Sequence, residues 1–148
     1  MPDSLSNSIN YSFSDWDSYV VGNYLVVTWF SHWYTGGAHG GSFIDAEQFD
    51  LRTGKLLTKD DVFMDIVADA PVINAIITRR LIEEHDWEQT PPNEAIDVCS
   101  DSVPLLFRLT PEGIVFIYNE YAIAAFAAGA YQVLAPYDEL RSFLKVEI

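Results

Sequence analysis

The sequence predicts an α+β domain with a mainly antiparallel sheet, one long helix and a C-terminal helix packed on that sheet. Runs rich in β-branched and aromatic residues occur at 23–34, 42–51 and 103–118, and turn-like segments connect several of them. Between residues 69 and 85 the apolar residues instead follow a helical period. The 148 residues and the hydrophobic fraction of 49% fit one packed domain covering 1–148, with 1–10 as a loose N-terminal lead-in.

The first third of the chain is predicted to form strands and turns. Residues 11–15 alternate and indicate a short edge strand, whereas 23–34 is the clearest strand signal. Large residues on both faces of that second strand favour a central position in the sheet. Residues 42–51 form its partner, and 51–55 is a turn that uses Gly54.

Two helices follow. Thr58 and Asp61 have the spacing of a capping box, which predicts a short helix that ends near Met64. Asp69 is the predicted N-cap of the longest helix. Its apolar stripe consists of Val72, Ile73, Ile76, Ile77 and Leu81. The flanking charges are predicted to be solvated: Arg79, Arg80, Glu83 and Glu84. Residues 85–97, with two consecutive prolines, indicate a surface loop.

The last third returns to strands. Residues 103–109 and 114–118 flank a Thr-Pro-Glu-Gly turn and predict a β-hairpin. The stretch 121–129 is ambiguous: its alanines favour a helix, whereas a family resemblance carried also by other segments suggests an irregular excursion. Residues 131–135 indicate another strand. Pro136 can open a final helix, whose core-facing residues would be Tyr137, Leu140, Phe143 and Leu144.

The charge balance excludes some partners and favours others. The chain has 22 acidic and 8 basic residues, a formal net charge of −14, and no cluster of lysines or arginines. Phosphate backbones and anionic lipids would therefore be repelled, which argues against nucleic-acid binding and adhesion to membrane surfaces. A basic protein would be attracted, although an acidic surface also simply maintains solubility.

The sequence also lacks the features of a membrane-spanning helix, a signal peptide and a disulfide or cysteine-rich zinc site. No run of apolar residues is long enough to cross a membrane as a helix. The first residues have neither the basic nor the apolar region of a signal peptide. Cys99 is the only cysteine, which excludes an intramolecular disulfide and a cysteine-rich zinc site. Its acidic neighbours would raise the pKa of the thiol rather than activate it.

The segment 34–41 is the most informative part of the chain, because it holds four of the eight glycines and His39. It lies between two predicted strands, so it is expected to be a shaped connection. Glycines there supply positive φ angles or allow a close approach of another group, and His39 would hold the turn by a hydrogen bond. A phosphate-cradling role is disfavoured, because no P-loop Lys-Ser/Thr pair follows and the acidic field opposes phosphate.

Catalytic alternatives start from the same segment. His32 and His39, with Asp45 or Glu47 across the hairpin, could hold zinc or iron with an open coordination position. That spacing matches no established motif. A serine triad around His39 lacks the strand-to-helix elbow that exposes a nucleophile. We therefore assign no catalytic residue, no metal ligand and no cofactor from the sequence.

Several ordered motifs carry a family resemblance. They are residues 34–40, 49–57 and 60–63, followed by 107–118, 121–124, 127–129, Val133 and 136–140. Together they resemble the RsiV-like extracytoplasmic domain family over about Tyr24 to Leu144. That family includes the C-terminal domain of the lysozyme-binding anti-sigma factor RsiV and a domain of the peptidoglycan deacetylase PdaC, and most of its members have no assigned function. This chain has neither a sigma-binding segment nor a deacetylase domain, and it has Phe126 and Ala130 where the family is expected to have tyrosine and proline.

The resemblance implies an α+β domain in the periplasm or elsewhere outside the cytoplasmic membrane. It also implies a non-enzymatic module that binds a basic protein such as lysozyme, or a cell-wall component. The expected surface comprises segment 34–41 and the stretch 121–130, with these binding residues: Trp33, Tyr34, Gly36, Gly37, His39, Gly40 and Tyr121. The alternatives are a metal-dependent or other hydrolase using His39, His32 and a nearby carboxylate, and a structural domain that has lost its partner domain.

Overall fold

A computed structural model describes residues 10–85, 96–101, 105–123 and 129–148. The strands are β1 (Tyr11–Val21), β2 (Tyr24–Tyr34), β3 (Gly41–Asp50), β4 (Lys55–Leu56), β5 (Leu106–Leu109), β6 (Gly113–Tyr118) and β7 (Tyr131–Pro136). The helices are α1 (Lys59–Val62), α2 (Ile66–His85) and α3 (Tyr137–Leu140), and a 3₁₀ turn at Arg141–Phe143 follows α3. The predicted α+β class is confirmed. Its strands form two antiparallel sheets, β1-β2-β3-β4 and β5-β6-β7.

The first sheet is built on a long hairpin. β1 is an edge strand, as predicted, but it extends to Val21 rather than ending at Asp15. Gly22, at φ +56°, and Asn23 form a two-residue connection, so β1 pairs with β2 from Tyr11 to Val21. A Gly-Asn pair between two strand-like runs is a hairpin signal, and it would have predicted the full length of β1. β2 lies between β1 and β3, which confirms its predicted central position.

The two faces of this sheet differ in what they contact. Residues paired across an antiparallel ladder lie on the same face. The face that carries Val21, Tyr24, Val26 and Gln48 packs on the core near the Gly22 turn, and we call it the inner face. We call the opposite side the outer face; its residues alternate with those of the inner face and include Trp16, Val27, Trp29 and Asp45.

The long helix α2 starts earlier than predicted. Asp69 is not its N-cap; it lies in the first turn. The cap is Asp65, whose carboxylate accepts the N–H of Ala68 at 3.0 Å, so the helix gains a turn that includes Ile66 and accommodates Pro71 in its second turn. The buried stripe is Ile66, Ala70, Ile73, Ile77 and Leu81. The prediction was wrong for Val72, which is half exposed because it lies beside that stripe.

The core lies between α2, the second sheet and the part of the first sheet's inner face that is near the Gly22 turn. Every residue of β6 is buried, consistent with its central place in β5-β6-β7. The predicted hairpin, the strand at 131–135 and the final helix are all confirmed. Leu140 and Leu144 are buried, and Tyr137 and Phe143 pack against the cluster. Arg79 is exposed, as predicted, whereas Arg80 is less solvated than predicted; both pair with Glu139 of α3.

Side chains of the first sheet fix the position of the second sheet. The buried Gln48 accepts the N–H of Leu109 at 3.2 Å through Oε1. The hydroxyl of Tyr19 donates to the carbonyl of Leu109 at 2.6 Å and accepts from Arg108 at 3.1 Å. Because both polar groups of Leu109 are held this way, β5 cannot slide along the first sheet without breaking hydrogen bonds in a low-dielectric region. This docking sets where the far end of β6 emerges.

Three predicted segments lie wholly or largely outside the described residues: the lead-in 1–10 (except Asn10), the loop 85–97 (apart from its ends) and the centre of the stretch 121–129. Within the described ranges, no helix combines the length and apolar character needed to span a membrane.

Candidate functional site

Segment 34–41 connects β2 to β3, as predicted, and its first two glycines bend the backbone. Gly36 has φ +83° and Gly37 has φ +131°, angles that residues with a side chain rarely adopt. The hydroxyl of Tyr34 donates to the carbonyl of Gly37 at 2.8 Å. Tyr34, Gly36 and Gly37 therefore shape the turn.

The other two glycines allow close packing. A Cβ on Gly40 would lie 2.4 Å from the backbone oxygen of Trp33, and one on Gly41 would lie 2.5 Å from the Trp33 indole. The indole therefore rests directly on the backbone where β3 begins. Nδ1 of His39 donates to the carbonyl of Gly40 at 3.0 Å, which agrees with a role in holding the turn.

Segment 119–120, directly after β6, covers the edge of β3 that does not pair with β2. Both hydrogen-bonding groups of the Ile44 backbone are taken by Asn119, at 2.7 Å to its N–H and 2.9 Å to its carbonyl. The Glu120 carboxylate accepts the Ser42 N–H at 3.1 Å and also the Ser42 hydroxyl. Further along β3, the N–H of Ala46 also points away from β2, and it donates to the side-chain carboxylate of Asp45 at 2.8 Å. Side chains thus satisfy an edge that would otherwise be free to pair with another strand.

A cavity of about 420 Å³ lies where these two segments meet. Its walls include the side chains of Trp33, His39, Phe43, Glu120 and Tyr121, with Gly40 and Gly41 as backbone floor. Tyr121 has φ +66°, the only positive φ of a non-glycine residue among the described residues. The backbone turns sharply there and leaves the ring 65% exposed at the cavity rim.

The cavity has the chemistry of a cation site. Three aromatic residues line it and Glu120 supplies a carboxylate, and both kinds of group can attract a cation. Each carboxylate oxygen can accept more than one hydrogen bond, so Glu120 retains acceptor capacity beyond its bonds to Ser42. No lysine or arginine precedes Arg52 in the sequence, so β1, β2 and β3 contribute only negative charge.

The predicted binding residues separate into two groups. Trp33, His39, Gly40 and Tyr121 meet at the cavity although Tyr121 is remote in sequence. Tyr34, Gly36 and Gly37 do not line it. Sequence analysis missed Phe43, Asn119 and Glu120. One signal could have identified Asn119 and Glu120. They form a polar pair directly after an apolar strand, and side chains that follow a strand often lie at the sheet edge.

The predicted metal set does not converge. His32 lies on the inner face, between the rings of Tyr11 and Phe13, and its Nε2 is 3.3 Å from the Tyr11 hydroxyl. Asp45 and Glu47 lie on the outer face, because the register pairs them with Trp29 and Val27. The sheet thus separates His32 from both acids. Within the described residues, no group of three His, Cys, Asp or Glu side chains is placed to share an ion.

Cys99 shows the unreactive environment that was predicted. Its thiol donates to the carbonyl of Ile66 at 3.3 Å. Burial and the nearby Asp97 carboxylate raise the pKa of the thiol above its ordinary value. A thiol with a raised pKa is a poor nucleophile at neutral pH.

Fold and site together define an α+β domain with an acidic, aromatic-lined cavity at the edge of its four-stranded sheet. The chain belongs to the DUF3298 family, described as a protein family of unknown function, whose model matches residues 60–138, just over half of the chain. No curated protein matches the chain significantly.

Two solved structures are similar to the chain. A DUF3298 family member from Bacteroides fragilis is 25% identical with a TM-score of 0.74, and the match covers 93% of this chain and 55% of that one. A DUF3298 family protein from Pseudomonas aeruginosa is 18% identical with a TM-score of 0.57, covering 89% of this chain and 62% of that one. The second likeness concerns the fold alone. This chain spans a little more than half the length of either protein.

Proposed function

We propose that this domain is a non-enzymatic binding module of the bacterial cell envelope that captures a basic protein. A lysine or arginine side chain of the ligand enters the cavity, lies against Trp33 and Tyr121, and pairs with Glu120. The observation that carries the proposal is the convergence of these three residues, from β2 and from the segment after β6, on one cavity.

Electrostatics supports a cationic ligand. A desolvated cation over an aromatic ring gains about 2 kcal/mol, and a charge-assisted hydrogen bond to a carboxylate adds about 1.5–3 kcal/mol. The net charge of −14 also accelerates the encounter with a basic protein at low salt.

The site is organised before the ligand arrives. Glu120 is oriented by its bonds to Ser42, and Asn119 anchors the same segment to Ile44. The indole of Trp33 lies directly against the backbone of Gly41. Fixing these groups in advance reduces the conformational entropy lost on binding.

The envelope location and the choice of lysozyme as a probe rest on the resemblance to the RsiV-like extracytoplasmic domain family. Lysozyme is a basic protein with surface arginines and lysines, so it suits the cavity chemistry. An alkaline phosphatase fusion to the natural gene product tests the compartment, because that enzyme becomes active only after export. An inactive fusion that accumulates to normal levels would contradict the envelope assignment.

Calorimetric titration with lysozyme at low and at physiological salt tests the function. We expect binding that weakens as salt rises, as ion pairing requires. Glu120→Gln and Tyr121→Asn should each lower the affinity at least tenfold. Asparagine tolerates the positive φ of position 121, so the second variant removes the ring but keeps the backbone.

The matched control is Glu84→Gln, which removes one charge from the exposed side of α2, remote in sequence from the cavity, and should leave the affinity unchanged. Absence of heat at both salt concentrations would remove lysozyme as a ligand. Salt-independent binding of neutral peptidoglycan fragments, lost in Tyr121→Asn, would show instead that the cavity recognises a glycan.

A further inference from the structure

The outer face of the first sheet lies away from the core and carries large apolar residues among serines and two acids. Its aromatic and aliphatic residues are Trp16, Val20, Leu25, Val27, Trp29, Trp33, Phe43 and Phe49. Trp16 is 67% exposed and Val20 is 59% exposed. A surface sheet normally alternates apolar residues inside with polar residues outside, so apolar residues on the outer side call for a partner.

The patch is large enough to be an interface. β1, β2 and β3 are 10 to 11 residues long. At about 3.3 Å per residue and about 4.8 Å between strands, they present roughly 33 by 14 Å, on the order of 450 Å². The largest apolar patch on a typical soluble monomer is about 300–600 Å² and is often functional, so a face of this size can serve as an interaction site.

We propose that this outer face docks a basic amphipathic helix of another polypeptide. A helix of about 22 residues is about 33 Å long, which equals the strand length, and its diameter of about 10–12 Å covers the three strands. A helix layered on a sheet is also the standard way to bury an apolar sheet face.

Charge selects a basic helix over a second copy of this chain. The charged residues on the outer face of β1–β3 are Asp45 and Glu47, both on β3. Two copies packed face to face would bring these acids together and combine two net charges of −14. Lysines or arginines flanking the apolar stripe of a helix would pair with them instead.

The edge of the sheet is protected, which directs docking to the face. The N–H of Trp16 is bonded by the side chain of Asp15 at 2.9 Å, and the N–H of Ser18 by that of Asp17 at 2.8 Å. Side-chain carboxylates thus occupy backbone donors along β1 that an added strand would need.

Additional polypeptide accompanies this fold in the relatives of known structure. The matched region is 55% of the Bacteroides protein and 62% of the Pseudomonas protein, so each carries a substantial segment beyond it. The docking helix that we propose lies on a separate polypeptide, so the experiment supplies it as a free peptide.

The experiment measures fluorescence anisotropy with three labelled designed peptides of 22 residues. The first has a leucine stripe flanked by lysine and arginine, the second replaces each basic residue by glutamate, and the third scrambles the first. We expect the first peptide to bind at least tenfold more tightly than the other two. Val20→Glu and Trp16→Glu, at exposed positions that do not support the core, should abolish that preference.

Phe13→Glu is the matched control, since Phe13 is equally exposed but lies on the inner face. It should leave binding of the first peptide unchanged. Equal binding of the scrambled peptide would show charge attraction without helix docking and would overturn the proposal. So would a dimer in sedimentation that Val20→Glu dissociates, because a second copy would then occupy the face.

The two proposals can fail separately. Glu120→Gln should leave binding of the basic helix unchanged, and Val20→Glu should leave the lysozyme titration unchanged.

Discussion

The side chain of Asn119 forms the two hydrogen bonds with the Ile44 backbone that a neighbouring β-strand would otherwise form. Its side-chain amide accepts the Ile44 N–H at 2.7 Å and donates to the Ile44 carbonyl at 2.9 Å. The two residues are 75 positions apart; Ile44 lies in β3 of the first sheet, and Asn119 directly follows β6 of the second. This pair therefore closes the edge of β3 and at the same time fixes the segment that carries Glu120 and Tyr121.

Replacing Asn119 should disturb both stability and binding. Asn119→Leu removes two partly buried hydrogen bonds and leaves two backbone groups without a partner, which should cost about 2–3 kcal/mol of unfolding free energy. The cavity should also lose affinity for lysozyme, because Glu120 is no longer held in place. Urea denaturation and calorimetry measure the two effects. Asn10→Leu, at an exposed position before β1, should change neither.

Gly40 and Gly41 should respond differently to alanine. At Gly40 the new methyl would collide with backbone, so the strand ends must move, and we expect a loss of about 1–3 kcal/mol. At Gly41 the obstacle is the Trp33 indole, which can rotate away. Gly41→Ala should therefore preserve most stability but weaken ligand binding. Equal losses of stability in the two variants would contradict this assignment of the clashes.

Tyr118 and Tyr137 provide a test of buried hydroxyl groups. The hydroxyl of Tyr118 is buried and has no hydrogen-bond partner among the described residues, and burial raises its pKa. Tyr118→Phe should leave stability unchanged or raise it by up to about 1 kcal/mol, because an unsatisfied polar group is removed.

The hydroxyl of Tyr137 donates to the carbonyl of Thr110 at 2.8 Å. Tyr137→Phe should therefore lower the unfolding free energy by about 1 kcal/mol. Thermal unfolding of the two variants checks the contrast. A larger loss for Tyr118→Phe than for Tyr137→Phe would be the opposite of what the structure implies.

Acid should weaken the contact between α2 and α3. Hydrogen bonds from Arg80, and the charges of Arg80 and Arg79, hold the pKa of Glu139 below its ordinary value. A carboxyl group whose folded pKa is depressed stabilises the protein above its unfolded pKa, about 4.3–4.5, and this contribution disappears as pH falls through the folded pKa. The unfolding free energy should accordingly decrease below about pH 4.5.

Glu139→Gln isolates that effect. The variant should be less stable than the parent at pH 7, and the difference should narrow at pH 3, where the parent carboxylate becomes protonated. Urea denaturation at both pH values measures this. Glu84→Gln removes an acid of α2 that forms no ion pair among the described residues. The difference in unfolding free energy between this variant and the parent should not narrow in the same way between pH 7 and pH 3.

Local patterns predicted most elements of the fold. The period of two in β2 and the apolar stripe through Ile73, Ile77 and Leu81 require no information about distant contacts. Boundaries were less accurate where a local signal was overlooked, as at the Gly22-Asn23 connection and the Asp65 cap. The division into two sheets was not predicted. No short-range pattern indicates whether the strands before α2 pair with the strands after it.

Half of the candidate site followed from the sequence. Segment 34–41 was identified because its glycines are close together, and Trp33, His39 and Gly40 do line the cavity. Glu120 could not be placed, since it reaches Ser42 across 78 residues. His32 and Asp45 were grouped by proximity in sequence, but alternation places them on opposite faces of the sheet.

The sequence by itself determined the α+β class, the order of elements, the acidic charge and the glycine-shaped connection between β2 and β3. Each of these depends on composition or on interactions within a few residues. The tertiary structure alone decided that Glu120 meets Trp33 and that one face of the first sheet, rich in large apolar residues, lies away from the core. Both outcomes follow from how β5 docks through Gln48 and Tyr19 on Leu109, a long-range arrangement set by burial and hydrogen bonding together.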